Sequence, residues 1–284
     1  MSIHNSLKMK LQSLTHKSCY ATIATITEDS TDKLKLFYEY NQGLIKQFPH
    51  VIISTNSLDD TSMHTINLYH NTWRKLVPNC IILNSTVNRG HMFGTIDLEE
   101  TILEYVKREL PEVQYLWKSM DDVITTSDLL DLDVEEAEFY YLPGFSYESI
   151  QKAGGKQNLH KVYQAFDSGV YTPQTTFFIL DITSIDSIYG TDINDKIDVY
   201  QEIKARNPAV KPWEIPFNIK FDCETHLGRT TKDLKKFCLL KDKFEDLLDM
   251  VEINKIGDPS HKNIYFEKLG VCHYHFYKDL IYNV

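Results

Sequence analysis

Between residues 19 and 122, four short apolar stretches are separated by three longer amphipathic ones. "CYATIATIT" (19–27), "HVIISTN" (50–56), "CIILNS" (80–85) and the run from Val113 to Met120 are rich in β-branched and aromatic residues, as buried strands are. The first intervening stretch, "TDKLKLFYEYNQGLIKQF", places Leu34, Phe37, Tyr38, Leu44 and Ile45 on one helical face, with Thr31 or Asp32 as its N-cap. A second helix is expected over roughly 62–76. The third, "IDLEETILEYVKREL", is expected to follow the Gly-containing loop "TVNRGHMFGT" and to stop at Pro111. Strict alternation of strand and helix predicts a parallel α/β sheet flanked by helices.

Beyond Asp122 that regularity stops. An acidic stretch (Asp131, Asp133, Glu135, Glu136, Glu138) reads as a solvated face, and Phe177 to Leu180 as the core of one more strand. The proline-containing segment from residue 207 reads as irregular until a helix near 224. At the other end, Leu7, Leu11 and Leu14 have helical spacing, so a short amphipathic helix is expected over residues 2–17. No repeat and no linker divides the 284 residues. The expectation is one domain, with a regular half over residues 1–125 and a less regular half and tail over 126–284.

Five scattered cysteines without a CxxC pair fit a reducing compartment. No window reaches the roughly 18 apolar residues of a membrane span, and the first twenty residues lack the apolar core of a secretory signal. A cytoplasmic setting follows as the expectation, bacterial or in a host cell if the source is viral. A net charge of −10 argues against general adhesion to nucleic acid.

The strand that ends at Met120 runs into two adjacent carboxylates, Asp121 and Asp122. Two such groups sharing a site repel unless a cation lies between them. Hard oxygen ligands at the end of a buried strand suit Mg²⁺ or Mn²⁺, and ligands of open α/β sheets gather at the carboxyl ends of strands. A solvated turn is the other reading of the same pair.

Taken in order, "ATIATIT" (21–27), "HVIISTN" (50–56), "NRGHMFGT" (88–95) and "YLWKSMDDV" (115–123) resemble a nucleotide-sugar glycosyltransferase of the GT-A fold, family 2-like, over roughly residues 19–125. The resemblance implies a mostly parallel Rossmann-like sheet with a less regular C-terminal half, residues 1–125 binding the nucleotide sugar and 126–284 forming the acceptor-binding half and tail. It implies Asp122 as a metal ligand and Asp121 on sugar or ribose hydroxyls, or sharing the ion. Thr25, Ile26, Thr27 and Asn56 would border the base and ribose, with Arg89 and His91 near the base or phosphates. In many members of this fold a histidine near the C-terminus completes the metal site, and "CHYHFY" offers His273 and His275. An inverting enzyme also needs a base. "PWEIPFNIKFDCETHLGR" offers Glu214, Asp222 and Glu224, with Asp222 and Arg229 loosely echoing the family pattern although that stretch holds no Glu-Asp pair. Thr27 and Asn56 also read as turn formers, Arg89 as a surface cation, His91 as a helix cap, and the histidine pair as packed strand residues. Trp213 reads as a stacking platform for a sugar or as core.

The implied reaction moves a sugar from a nucleoside-diphosphate sugar, a UDP-sugar foremost, to an acceptor hydroxyl with Mn²⁺ or Mg²⁺. The acceptor is left open between a glycan, a lipid-linked sugar, a protein and a hydroxymethylated base of viral DNA. For the last, Arg229, Lys232, Lys235 and Lys236 form the one basic segment. The competing reading is a non-catalytic nucleotide- or sugar-binding α/β module. A sugar-phosphate nucleotidyltransferase or a Rossmann dehydrogenase would place glycines directly after the first strand, where "TITEDST" has none.

Overall fold

The computed structural model describes residues 8–89, 91–121, 123–125, 127–143 and 173–190, with residue 202 and the short segments 205–207, 237–239, 263–266 and 271–274. Strand β1 (Lys8–Lys10) leads through a 3-10 segment, Leu11–Lys17, into β2 (Ser18–Ile26). Then come α1 (Ser30–Ile45), β3 (His50–Ser57), α2 (Met63–Leu76), β4 (Ile81–Asn84), α3 (His91–Glu109) and β5 (Tyr115–Met120). Short strands follow: β6 (Val123–Thr125), β7 (Asp133–Glu135) and β8 (Phe139–Pro143). The last are β9 (Pro173–Asp181), β10 (Phe237–Leu239), β11 (Asn263–Phe266) and β12 (Val271–Tyr274).

The main sheet has seven strands in the order β10-β8-β9-β5-β2-β3-β4. Four of its six pairings are parallel, and the two antiparallel ones both involve β9. This is the mostly parallel α/β sheet flanked by helices that the alternation implies. Among the described residues after 125, β8, β9 and β10 extend this same sheet, while β11 and β12 form a separate three-stranded sheet with β6. In the main sheet β9 adds to β5, with Tyr115 opposite Asp181, and carries β8 beyond it.

Alternate residues of each strand serve opposite layers. Tyr20, Ala24 and Ile26 of β2 join Val51 and Ile53 of β3 and Trp117 of β5 under α1 and α2. Cys19, Ala21 and Ile23 join Ile52, Leu116, Phe178 and Leu180 under α3. Phe48 fills the first layer edge-on against Trp117, with ring centres 5.0 Å apart. The Trp117 indole N–H donates to Ser18 Oγ at 3.1 Å, so the wholly buried tryptophan leaves no polar atom unpaired.

Three expectations about boundaries need correction. Residues 8–17 form a strand and a 3-10 turn, not one helix, because β1 pairs antiparallel with β7. Lys8 lies opposite Glu135 and Lys10 opposite Asp133, with Lys10 Nζ 3.0 Å from the Asp133 carboxylate. Opposite charges across the ladder outweigh the leucine spacing, although Leu11 and Leu14 are buried as a helix face would be. Helix α1 begins at Ser30, earlier than expected, with Asp29 at the N-cap in place of Thr31 or Asp32. Helix α3 begins at His91, so "HMFGT" is its first turn and not a loop. There the glycine belongs to a close approach to β3: a Cβ on Gly94 would lie 3.0 Å from Asn56 Nδ2, tighter than ordinary contact. The acidic stretch is solvated as expected, since Asp131, Asp133, Glu135 and Glu136 are exposed.

Candidate functional site at the strand ends

The parallel register of β2 with β3 and β5 brings their carboxyl ends to one edge of the sheet. Thr25 lies opposite Asn56 in that register, and Asp121 directly follows β5. This is the edge where an open α/β sheet receives ligands.

The first strand's end divides into used and available groups. Thr25 is exposed. Ile26 is wholly buried in the core, and its carbonyl accepts from Thr61 Oγ1 at 3.2 Å and Leu58 N at 3.4 Å. Thr27 ties down the start of α1. Its N–H donates to Ser30 Oγ at 2.8 Å, and its hydroxyl donates to Asp29 Oδ1 at 2.5 Å. Partial burial works against the ionised form of Asp29, yet hydrogen bonds from Lys33 and Thr27 hold its carboxyl below the ordinary range. The turn-forming reading of Thr27 is therefore the one its hydrogen bonds express.

Asn56 is buried, and its Oδ1 has no hydrogen-bond partner. A buried amide oxygen left unpaired costs on the order of 1–3 kcal/mol, so it is a natural seat for a donor from a ligand. Arg89 is partly exposed with Nε 3.5 Å from Asp97 Oδ1 on the first turns of α3. His91 is the first residue of that helix.

Asp121 is half-buried. Tyr69 of α2 lies close enough that burial first, and the Asp121 charge second, raise its phenol well above the ordinary value. Tyr69 therefore stays a neutral hydroxyl. The sequence reading missed it, although its place on the apolar stripe Ile66-Tyr69-Trp73 of α2 marks it as inward-facing.

After the Asp-Asp turn, β6 pairs antiparallel with β12. Val123 lies opposite His273 and Thr125 opposite Val271. The backbone of a distant C-terminal segment thus sits beside the turn that carries Asp121. Asp122, Gly90, Trp213, Glu214, Asp222, Glu224, His275 and the cations Arg229, Lys232, Lys235 and Lys236 lie outside the described residues, and His273 is described by its backbone. Among the described residues, no group of three or more His, Cys, Asp or Glu side chains forms a metal site. The carboxylate of Asp121 is an oxygen donor of the kind that suits a hard divalent ion such as Mn²⁺ or Mg²⁺.

One buried charge cluster escaped the sequence reading altogether. Lys118, in the middle of β5, is wholly buried with Nζ 2.5 Å from Glu99 Oε1 of α3. Its ammonium also donates to the Thr175 carbonyl of β9, and the Tyr189 hydroxyl donates to Glu99 Oε2. Complete burial raises the Glu99 carboxyl above its ordinary range against the opposing pull of Lys118 and Tyr189. The cluster locks α3 and β5 to the chain around β9, behind the strand ends.

An α/β protein with polar and acidic groups at the carboxyl edge of a mostly parallel sheet is the class that this geometry defines. No protein-family model and no curated protein matches the chain. Among solved structures, it is similar to the galactosyltransferase LgtC in complex with donor and acceptor sugar analogs, at 9% identity and a TM-score of 0.43. The match covers 78% of this chain and 72% of that one. An active-site mutant of LgtC is similar over the same shares of both chains, at 10% identity and a TM-score of 0.43.

Proposed function

We propose that this protein is a metal-dependent glycosyltransferase of the GT-A type. It would take a sugar from a nucleoside-diphosphate sugar, a UDP-sugar foremost, and pass it to an acceptor hydroxyl. The observation that carries this reading is the register of β6 with β12, which sets the His273 backbone beside the turn that begins at Asp121, at the edge where Thr25 and Asn56 also end their strands.

On this reading Asp121, Asp122 and His273, or His275 in its place, would hold Mn²⁺ or Mg²⁺. Such an ion, when bound, offsets the negative charge that develops on a departing diphosphate. The remaining work falls to the chain itself. The unpaired Asn56 Oδ1 accepts from a base N–H or ribose hydroxyl, and the exposed Thr25 lies opposite Asn56 in the register. Arg89, tethered by Asp97, supplies a cation for phosphate beside the start of α3, whose helix N-terminus adds partial positive charge. Glu214, Asp222 and Glu224 are the candidates for taking the acceptor proton. The acceptor is a glycan, a lipid-linked sugar, a protein or a modified DNA base, and the setting is cytoplasmic.

A thermal-shift panel of UDP, GDP, CDP and dTDP, each with and without Mn²⁺, tests the reading. One nucleotide is expected to raise Tm in the presence of Mn²⁺, by the equivalent of about 2.7 kcal/mol at a hundredfold excess over Kd. No shift with any of the four overturns it. Release of free nucleoside diphosphate from the matching sugar nucleotide then separates an enzyme from a binding module.

A further inference from the structure

Asn41 is a wholly buried polar residue in the apolar stripe of α1, among Phe37, Leu44 and Ile45. Asparagine is a poor choice for a helix interior. Its amide is used across the structure. Nδ2 donates to the Val123 carbonyl at 3.2 Å, and Oδ1 accepts from Thr125 N and from Thr125 Oγ1, each at 2.6 Å. Nδ2 also donates to the Phe37 carbonyl at 2.8 Å. A side-chain amide that donates to residue 123 and accepts from residue 125 reproduces what a peptide group of a neighbouring strand would offer.

The register explains why this matters. In an antiparallel pair, backbone groups of alternate residues point to opposite edges. With the Val123 carbonyl and Thr125 N–H turned toward Asn41, Ile124 is left to exchange backbone bonds with Cys272 opposite it. Strand β6 is therefore held on one edge by a helix side chain and on the other by β12. Without Asn41, a three-residue strand would bury an open edge, with the Val123 carbonyl and Thr125 N–H both unpaired.

We propose that Asn41 is a positioning residue that seats β6, and through it the His273-bearing β12, against the end of β5. The ligand-positioning half of this proposal rests on the metal reading above; the seating half does not. On this view the segments on either side of position 122 are both anchored. β5 is anchored by its ladder with β2, and β6 by Asn41 and β12.

The test uses the full-length protein below the unfolding transition of each variant, with Mn²⁺ plus UDP as the probe. Metal binding is read from loss of the free Mn²⁺ electron paramagnetic resonance signal, and seating from hydrogen–deuterium exchange. Asn41→Ala is expected to weaken Mn²⁺ binding about tenfold or more. It is also expected to speed exchange at 123–125 and 271–274 while β3 stays protected. Thr125→Val removes one hydroxyl and keeps the backbone N–H bonded, so it should fold as wild type and show both effects at about a few-fold. Unchanged exchange at those segments in both variants overturns the proposal. Wild-type Mn²⁺ binding that Asn41→Ala leaves unchanged, with Tm lowered, overturns the ligand-positioning half and makes Asn41 merely structural. If wild-type protein leaves the Mn²⁺ signal intact while Asn41→Ala still loosens both segments, the metal reading falls and the seating role stands.

Discussion

The two sides of the Asp-Asp turn are built by different rules. Before it, β2, β3 and β4 pair in parallel with their neighbours in chain order, each joined to the next through a helix, and β5, after one more helix, pairs in parallel with β2 on its other side. After it, β9 enters antiparallel beside β5, β8 returns along β9, and β12 comes from far along the chain to meet β6. The first region is specified by local periodicity, and the second by long-range pairing. The candidate site lies on the seam, so it inherits its scaffold from one region and part of its proposed ligand set from the other.

The sharpest way to break that comparison is at the seam itself. Asp122→Ala is expected to abolish Mn²⁺-dependent turnover while Tm stays near wild type. Initial rates of nucleoside diphosphate release alongside a melting curve decide it, and full activity in this variant removes the metal assignment. Next in size is the staple behind the strand ends. Lys118→Met leaves Glu99 buried without its cation and is expected to cost about 3–5 kcal/mol in urea unfolding. Combining it with Glu99→Leu should recover most of that loss, because both charges then leave the core together. If the single variant costs under about 1 kcal/mol, the two regions are not coupled through this cluster.

Within the first region alone, Ser62→Ala should cost about 1 kcal/mol. Its hydroxyl caps α2 by accepting from Thr65 N at 3.1 Å, and unfolding midpoints measure the loss. The smallest effect is one of pH. Burial first, and the Arg74 charge second, lower the His70 pKa below its ordinary 6.5, while its Nε2 sits 3.1 Å from Thr55 Oγ1. The unfolded chain then binds this proton more readily than the folded one. The His70 contribution is complete above about pH 6.5 and declines as pH falls through that value toward the folded pKa. Comparing wild type with His70→Gln between pH 7.5 and 5.5, by urea unfolding at each pH, should show a shallower acid loss in the variant. Parallel curves refute the assignment.

How far the site was legible follows from the kind of information each part needs. The strands ending at Ile26, Ser57 and Met120 were readable because apolar runs of β-formers declare themselves within a few residues. Helix α2, expected over roughly 62–76, runs over Met63–Leu76. The start of α3 was not readable, since Gly94 looks like a loop residue until its nearness to Asn56 is seen. Thr27 could be counted as a ligand contact or a turn former from sequence, and its bonds to Asp29 and Ser30, which show that it shapes the turn, needed the structure to be seen. Lys118 was invisible as a buried charge because its partners Glu99 and Thr175, and the Tyr189 hydroxyl bonded to Glu99, come from three other stretches of chain.

By itself, then, the order of amino acids determined the α/β class, the early strand and helix sequence, and the acidic pair at a strand's end. Periodicity and turn chemistry act over a handful of residues, and those features need nothing more. Tertiary structure alone decided that β9 runs against β5, that β12 docks on β6, and that a helix asparagine stands in for a missing strand. Each of those depends on which distant backbone groups find one another, and no local pattern of side chains encodes that choice.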